Sequence, residues 1–471
     1  MRHSAADQPD ARALQRKVAG DSFSRGTLHD DRGAASITAA EPGREATALS
    51  PAEPTAFSLS DALGLARLAA DGAEGVTDIV ERLHNSILRT PGLAPVAAAL
   101  TGGASRLVYR CVGGAFRLTG KGVSAAALLA GEPGDRPVSR TRETMVAAMN
   151  GVVGDHLART GNPLALTMCF RRDGRPVTLM GPALAEAFPE ATCKLAVFVH
   201  GLCMSDLQWT RRNHDHGAAL ARDLGYTPVY LSYNSGLHIS TNGRALADLL
   251  ERLVAAWPAG VDRLAIVGHS MGGLVARSAC LAGEAAGHAW REKLDTLVFL
   301  GTPHHGAPLE RIGNWLGAVI GRTPYAAAFE GLGKSRSAGI TDLRYGNLRD
   351  EDWRDRDRFA REPDARRPAP LPRDVDCYAI AATTAATPGS VKDWLIGDGL
   401  VPVASALGRH KNPERSLKFQ RGRQWIVCEA GHLDLLSRRD IYERIAEWLR
   451  RDGRTGGRRR TAPRRRAKGD P

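Results

Sequence analysis

The segment Leu264-Ala265-Ile266-Val267-Gly268-His269-Ser270-Met271-Gly272-Gly273-Leu274-Val275-Ala276 joins an apolar run to small and apolar residues through a serine flanked by glycines. The run Leu264–Val267 predicts a buried strand, and Leu274-Val275-Ala276 the first turns of a helix. G-x-S-x-G between the two stands a hydroxyl clear of the sheet on a tight, strained turn. Gly268 and Gly272 lack the Cβ that would clash where neighbouring segments crowd that turn. The helix start beyond Ser270 points its positive end at the same place, which favours a developing anion. Ser270 is therefore the candidate nucleophile.

Working outward, apolar strands alternate with helical stretches. Strands are expected at Leu195–His200, Pro228–Tyr233, Leu264–Gly268, Leu297–Gly301, Cys377–Ala382 and Gln424–Cys428. Helices are expected at Gly243–Trp257 and Met271–Ala282. Such alternation predicts an α/β fold, a mostly parallel sheet with helices on both faces. Ahead of it, Leu164–Arg172 and Arg175–Met180 flank Asp173-Gly174, a hairpin signal.

The catalytic partners follow from chain order. In sheets with this elbow, the loop after an earlier strand supplies one oxyanion donor and the residue after the serine the other. The backbone N–H groups of Leu202 and Met271 hold those places; His200 is read as organising its loop. The acid is expected beyond the strand at Cys377–Ala382. Asp398, between Gly397 and Gly399, sits where a tight loop turns its carboxylate inward; Asp393, between Lys392 and Trp394, reads as a surface competitor. The base is expected after the last strand, and His432 is the only histidine there. It would take the Ser270 proton and return it to the leaving group, with Asp398 holding its tautomer. Asp434 reads as capping or orienting the helix after His432.

Other groups are less decisive. His304-His305 and His214-Asp215-His216 fit a metal site or, as the plainer reading, ordinary loops that shape the pocket. Between Gly306 and Asp398 lies a long insertion, with a cap expected over 306–375. Its apolar stripe of Ile312, Trp315, Leu316, Val319 and Ile320, with Tyr325 and Phe329 beyond, fits a lid over an acyl pocket as well as an ordinary buried helix.

Composition bounds the rest. The chain has 471 residues, 43% of them hydrophobic, enough for a sizeable core. Residues 1–57 are polar and aperiodic and read as disordered. Residues 58–162 carry helical periodicity and are expected to pack as an extension on a catalytic domain at 163–450. The net charge is +13, but nine Arg and one Lys against two Asp between Arg450 and Pro471 give +8 of it. Residues 451–471 thus read as a basic disordered tail, open to weak contact with an anionic membrane. It has almost no apolar or aromatic residue to stack on bases, which speaks against nucleic acid. The seven cysteines lack CxxC spacing, so neither a disulfide framework nor a zinc ribbon is expected. Neither an apolar run of membrane-spanning length nor a signal h-region is visible, which predicts a cytoplasmic location.

On Val199-His200-Gly201-Leu202, Gly268–Gly273, Gly301-Thr302-Pro303-His304-His305-Gly306, Asp398-Gly399-Leu400-Val401-Pro402 and His432, the chain resembles the lipase-like α/β hydrolases. These include bacterial relatives of the GPI inositol-deacylase group. The resemblance spans roughly residues 163–450. It implies the α/β-hydrolase fold and hydrolysis of a small-molecule or lipid ester through an acyl-enzyme, without metal or cofactor. An acyltransferase and a polyester depolymerase share the same motifs. A rival of another class is a non-catalytic membrane- or nucleic-acid-binding protein that uses the basic tail. With His432 as base, the pH profile should rise through the histidine range, near pH 6.5 if unperturbed.

Overall fold

The computed structural model of the chain describes residues 60, 61, 63, 64, 68, 139–308, 311–312, 336–360, 363–387 and 397–450. The readings for 1–57, for most of 58–138, for the stripe from Trp315 to Phe329, for Asp393 and for the tail 451–471 lie outside the described residues.

Eight strands form one sheet in the order β2-β1-β4-β3-β5-β6-β7-β8. They are β1 (Cys169–Arg172), β2 (Arg175–Pro176), β3 (Lys194–Val199), β4 (Thr227–Ser232), β5 (Arg263–His269), β6 (Leu294–Leu300), β7 (Asp376–Ala382) and β8 (Gln424–Val427). From β4 to β8 every pairing is parallel; β1 runs antiparallel to both β4 and β2. This is the mostly parallel α/β architecture that the alternating pattern predicts.

Strand periodicity sorts the apolar residues between two cores. Leu195, Val197, Val199, Leu264, Ile266, Leu297 and Phe299 face one side. They pack against helices α1 (Arg140–Arg159), α3 (Ile239–Ala256) and α4 (Met271–Ala286). Ala196, Phe198, Ala265, Val267, Val298, Leu300 and Ile380 face the other, against α2 (His216–Leu224) and α5 (Arg439–Arg450). In α5, Ile441, Tyr442, Ile445, Ala446, Trp448 and Leu449 are buried, a stripe at helical spacing. Covered on both faces, the central strands read as continuous apolar runs. Among the described residues, no helix is long and apolar enough to cross a membrane.

Two elements differ from expectation for physical reasons. The hairpin arms are shorter than the runs around Asp173-Gly174. Asn150 and Asn162 side chains take the backbone groups that a strand would use: Leu164 O accepts from Asn150 Nδ2 at 2.7 Å, Leu166 N donates to Asn150 Oδ1 at 2.9 Å, and Leu164 N to Asn162 Oδ1 at 3.0 Å. Helix α3 begins four residues before Gly243. Its Ile239 N–H donates to Asp342 Oδ2 at 2.9 Å, a cap supplied from 103 residues away. Helix α1 belongs to the same core as the sheet: Met145, Met149, Val152 and Leu157 cluster with Leu202 and Val199.

An ion network ties α1 to the sheet edge. Buried Arg171 on β1 donates to Glu143 of α1 at 2.6 Å and to Asp206 at 3.0 Å. Arg142 pairs with buried Asp61 through two bonds of 2.7 and 2.6 Å. Burial alone would lower the Arg171 pKa, but the two carboxylates raise it above its usual value. Asp206 opens the short 3-10 turn Asp206–Trp209, just beyond His200–Leu202. The network therefore braces the loop that carries one proposed oxyanion donor.

Candidate active site

Ser270 stands between β5 and α4 with φ 53° and ψ −125°, a conformation that costs a non-glycine residue about 1–3 kcal/mol. The surroundings hold it there. Its N–H donates to Leu300 O at 2.8 Å, and Gly273 N–H donates to Ser270 O at 3.1 Å. A Cβ at Gly272 would lie 2.2 Å from Val199 O and 2.5 Å from His200 O; one at Gly268 would lie 2.6 Å from Gly273 Cα. Only glycine allows the elbow to press this close to β3 and the following loop.

That loop reaches the serine itself. A Cβ at Gly201 would sit 3.0 Å from Ser270 Cβ, so Gly201 lies against Ser270. His200 anchors the loop from below. Its ring stacks on Tyr233 at 4.3 Å, and Tyr233 Oη donates to His200 O at 2.8 Å. Burial pushes the His200 pKa down to about 4, so the ring is neutral and structural at pH 7. Met271 begins α4 directly after Ser270, and both Leu202 and Met271 are buried.

Asp398 and His432 are brought together. His432 Nδ1 lies 2.6 Å from Asp398 Oδ2, with both side chains buried. The second carboxylate oxygen, Oδ1, accepts from Leu400 N at 3.0 Å and Val401 N at 2.8 Å. His432 N–H also donates to Asp398 O at 3.2 Å. A carboxylate with these donors assigns the proton of His432 to Nδ1 and leaves Nε2 as its basic nitrogen. Leu300-Gly301 links this pair to the serine: Leu300 O accepts from Ser270 N, and the Gly301 Cα lies against the His432 ring.

Comparison with known proteins gives one family match and several similar structures. Residues 191–320 match the family model of the PGAP1-like alpha/beta domain. The chain carries an α/β-hydrolase domain related to that family. The match spans β3 to β6 and so includes the His200–Leu202 loop and the elbow; it stops short of Asp398 and His432. Among solved structures, the chain is similar to lipase BlEst2 of Bacillus licheniformis in mature form. That alignment has 18% identity and a TM-score of 0.36, and covers 60% of this chain and 97% of that one. A lipase-esterase related protein from Clostridium acetobutylicum aligns at 14% identity and TM-score 0.30, over 55% of this chain and 94% of that one. Phospholipase PlaB from Legionella pneumophila aligns at 18% identity and TM-score 0.29, over 45% of this chain and 44% of that one. No curated protein matches the chain.

Around Ser270, Asp398 and His432, further residues take positions that spacing alone did not reveal. His269 is fully buried beside His432, with ring centroids 4.7 Å apart, and its Nε2 donates to His432 O at 3.1 Å. Burial and the neighbouring His432 hold its pKa well below the usual value. His216 likewise bonds Leu435 O at 2.9 Å, within the 3-10 turn His432–Leu436. Asp434 caps that turn, accepting from Gly431 N at 2.9 Å. Asp215, between the two histidines of His214-Asp215-His216, N-caps α2 through Ala218 N at 3.0 Å. Among the described residues, no three His, Cys, Asp or Glu side chains form a metal-ligand cluster. Of the expected cap at 306–375, the described helix Ala338–Asp342 packs on Ser235 and the Met271 side chain, and Ser337 Oγ donates to Gly151 O at 2.6 Å.

Proposed function

We propose that this hydrolase domain cleaves carboxylic esters through a Ser270–His432–Asp398 triad. Ser270 Oγ attacks the ester carbonyl carbon while His432 Nε2 takes its proton. The amides of Leu202 and Met271 stabilise the tetrahedral oxyanion, an effect worth about 3–4 kcal/mol per donor. The C–O bond to the alcohol breaks, and His432 returns the proton to the departing oxygen. Water, deprotonated by His432, then attacks the acyl-enzyme, releasing the acid and restoring Ser270.

The observation that carries this reading is the strained φ of Ser270, kept beside a buried His432–Asp398 pair. A serine with only a structural role has no need of a backbone conformation this costly. The lipase and esterase names of the aligned structures point to the same substrate class.

The test is hydrolysis of p-nitrophenyl esters from short to long acyl chains by wild type and Ser270→Ala. The wild type should turn over and the variant should lose activity by about a million-fold. The acyl-length optimum would separate a short-chain esterase from a lipase. Equal, low rates in both proteins across the series would overturn the proposal and favour a binding role for the chain.

A further inference from the structure

The proposed base lies on a short turn, and two imidazoles from elsewhere in the chain grip that turn. His432 opens the 3-10 turn His432–Leu436. Turns of this kind have poor hydrogen-bond geometry and are used in short pieces, so their orientation depends on what surrounds them. His269 Nε2 lies 3.1 Å from His432 O, and His216 Nε2 lies 2.9 Å from Leu435 O. A carbonyl accepts, so each Nε2 carries a proton. Both rings are fully buried, and burial keeps them neutral at pH 7.

A neutral ring with its proton on Nε2 has a lone pair on Nδ1. In His216 that lone pair has a donor: His214 Nε2, 2.8 Å away. The run His214-Asp215-His216 is thus a directed chain of hydrogen bonds, from half-buried His214 through His216 to the base turn. Its spacing has a local cause. Asp215 is extended, with φ −142° and ψ 121°, and extended backbone puts alternate side chains on one side. The two histidines meet, while Asp215 turns away to cap α2.

The two grips come from different layers. His269 directly precedes Ser270, so the residue beside the nucleophile holds the carbonyl of the residue that carries the base. The His269 and His432 rings lie 4.7 Å apart. His216 opens α2 and holds the other end of the turn, three residues on.

We infer that His269 and His216 are positioning residues for His432, which by holding the carbonyls of its turn fix the reach of His432 Nε2 to Ser270 Oγ. The inference rests on His432 acting as the base, as proposed above. A general base works only within hydrogen-bond reach of the proton it takes. A misplacement of about 1 Å costs about a hundredfold in rate. An apolar ring could fill either space; a directional N–H bond also orients the turn.

The test compares full-length His216→Leu and His269→Leu, which remove the donor, with His216→Gln and His269→Gln, which keep an N–H near the same place. In p-nitrophenyl ester hydrolysis the Leu variants should lose about a hundredfold in kcat per folded molecule with KM unchanged, and the Gln variants should recover most of it. A second readout needs no turnover. The His432 Nδ1 proton, shared with Asp398 over 2.6 Å, should give a proton NMR resonance far downfield of the amides in the wild type. It should broaden or vanish in the Leu variants and return in the Gln variants. Leu variants with wild-type kcat and an unchanged resonance would overturn the inference, as would Gln variants no better than the Leu ones. Where a Leu variant does not fold, its Gln counterpart decides: near wild-type kcat and resonance are expected, and loss of both overturns the assignment. A wild type without turnover would count against the proposed reaction. The resonance then decides the positioning role, and an unchanged signal in the Leu variants overturns it.

Discussion

Two buried ionic assemblies flank the His200–Leu202 loop, and they are built on opposite principles. On the side of α1, Arg171 meets two carboxylates and Arg142 meets Asp61, so charge is paired several times over. On the side of the elbow, one carboxylate serves one imidazole, and Asp398 is otherwise held by backbone N–H groups. The first assembly fixes a framework through several guanidinium–carboxylate bonds. The second holds His432 through one carboxylate contact of 2.6 Å. Under the proposed mechanism the first assembly braces and the second reacts. Substitutions on the two sides should therefore separate activity from stability.

The largest separation is expected at Ser270. Ser270→Ala should lower kcat by about a million-fold while the Tm stays within a few degrees of wild type. A Tm collapse in calorimetry would show that the serine supports the fold instead. Next comes Asp398→Asn, which keeps the shape and removes the charge. A loss of about ten-thousand-fold in kcat is expected, with the far-UV spectrum unchanged.

The opposite signature belongs to Arg171. Arg171→Met takes the buried guanidinium from Asp206 and leaves Glu143 with Arg142 alone, at 3.0 Å, and should cost about 3–5 kcal/mol in denaturant unfolding. Below the transition, kcat per folded molecule should be close to wild type. A variant as stable as wild type but catalytically dead would reverse the comparison.

Acid should strain the elbow side through its histidines. Burial pushes His200 and His216 down to about 4, and holds His269 and His304 well below the usual value. All four are neutral in the fold, whereas the unfolded chain protonates each below about pH 6.5. Unfolding then takes up protons, so stability is complete above pH 6.5 and falls as the pH drops towards 4. Each contributes a slope approaching about 1.4 kcal/mol per pH unit in that window. A Tm that stays constant from pH 7 to 4.5 would contradict the burial of these rings.

The smallest effect is expected at the surface. Arg212 pairs with Asp434 at 2.8 Å, but its side chain is 63% exposed. Arg212→Ala should change stability by less than about 1 kcal/mol and leave kcat unaltered. A larger loss would mean that the His432 turn depends on this ion pair as well as on its own cap.

Much of this was legible in the chain because it is local. The elbow needs a strand, a glycine-flanked serine and a helix in succession, and all three lie within Leu264–Ala276. Asp398 and His432, which the fold brings within 2.6 Å of each other, were singled out because chain order and strand ends restrict the candidates to a few residues. The boundaries were less legible where a distant group intervenes. Helix α3 starts early because Asp342 caps Ile239, and the first hairpin arm is cut short because Asn150 occupies its backbone. His269 and His304 carried a weak signal, since each lies beside a motif residue, but nothing local says which atom of either ring is bonded.

The sequence by itself determined the class of fold, the strand-turn-helix at Ser270 and the chain order of Ser270, Asp398 and His432. These follow from periodicity, glycine sterics and the one-dimensional order of the chain. Tertiary structure alone decided the strand order, the docking of α1 against the sheet and the partners of each buried charge. Arg171 and Arg277 show why. Each is one arginine in a single chain, yet one faces two carboxylates and the other none. Charge balance in a protein interior depends on distances between residues far apart in sequence, and those distances exist only once the chain has folded.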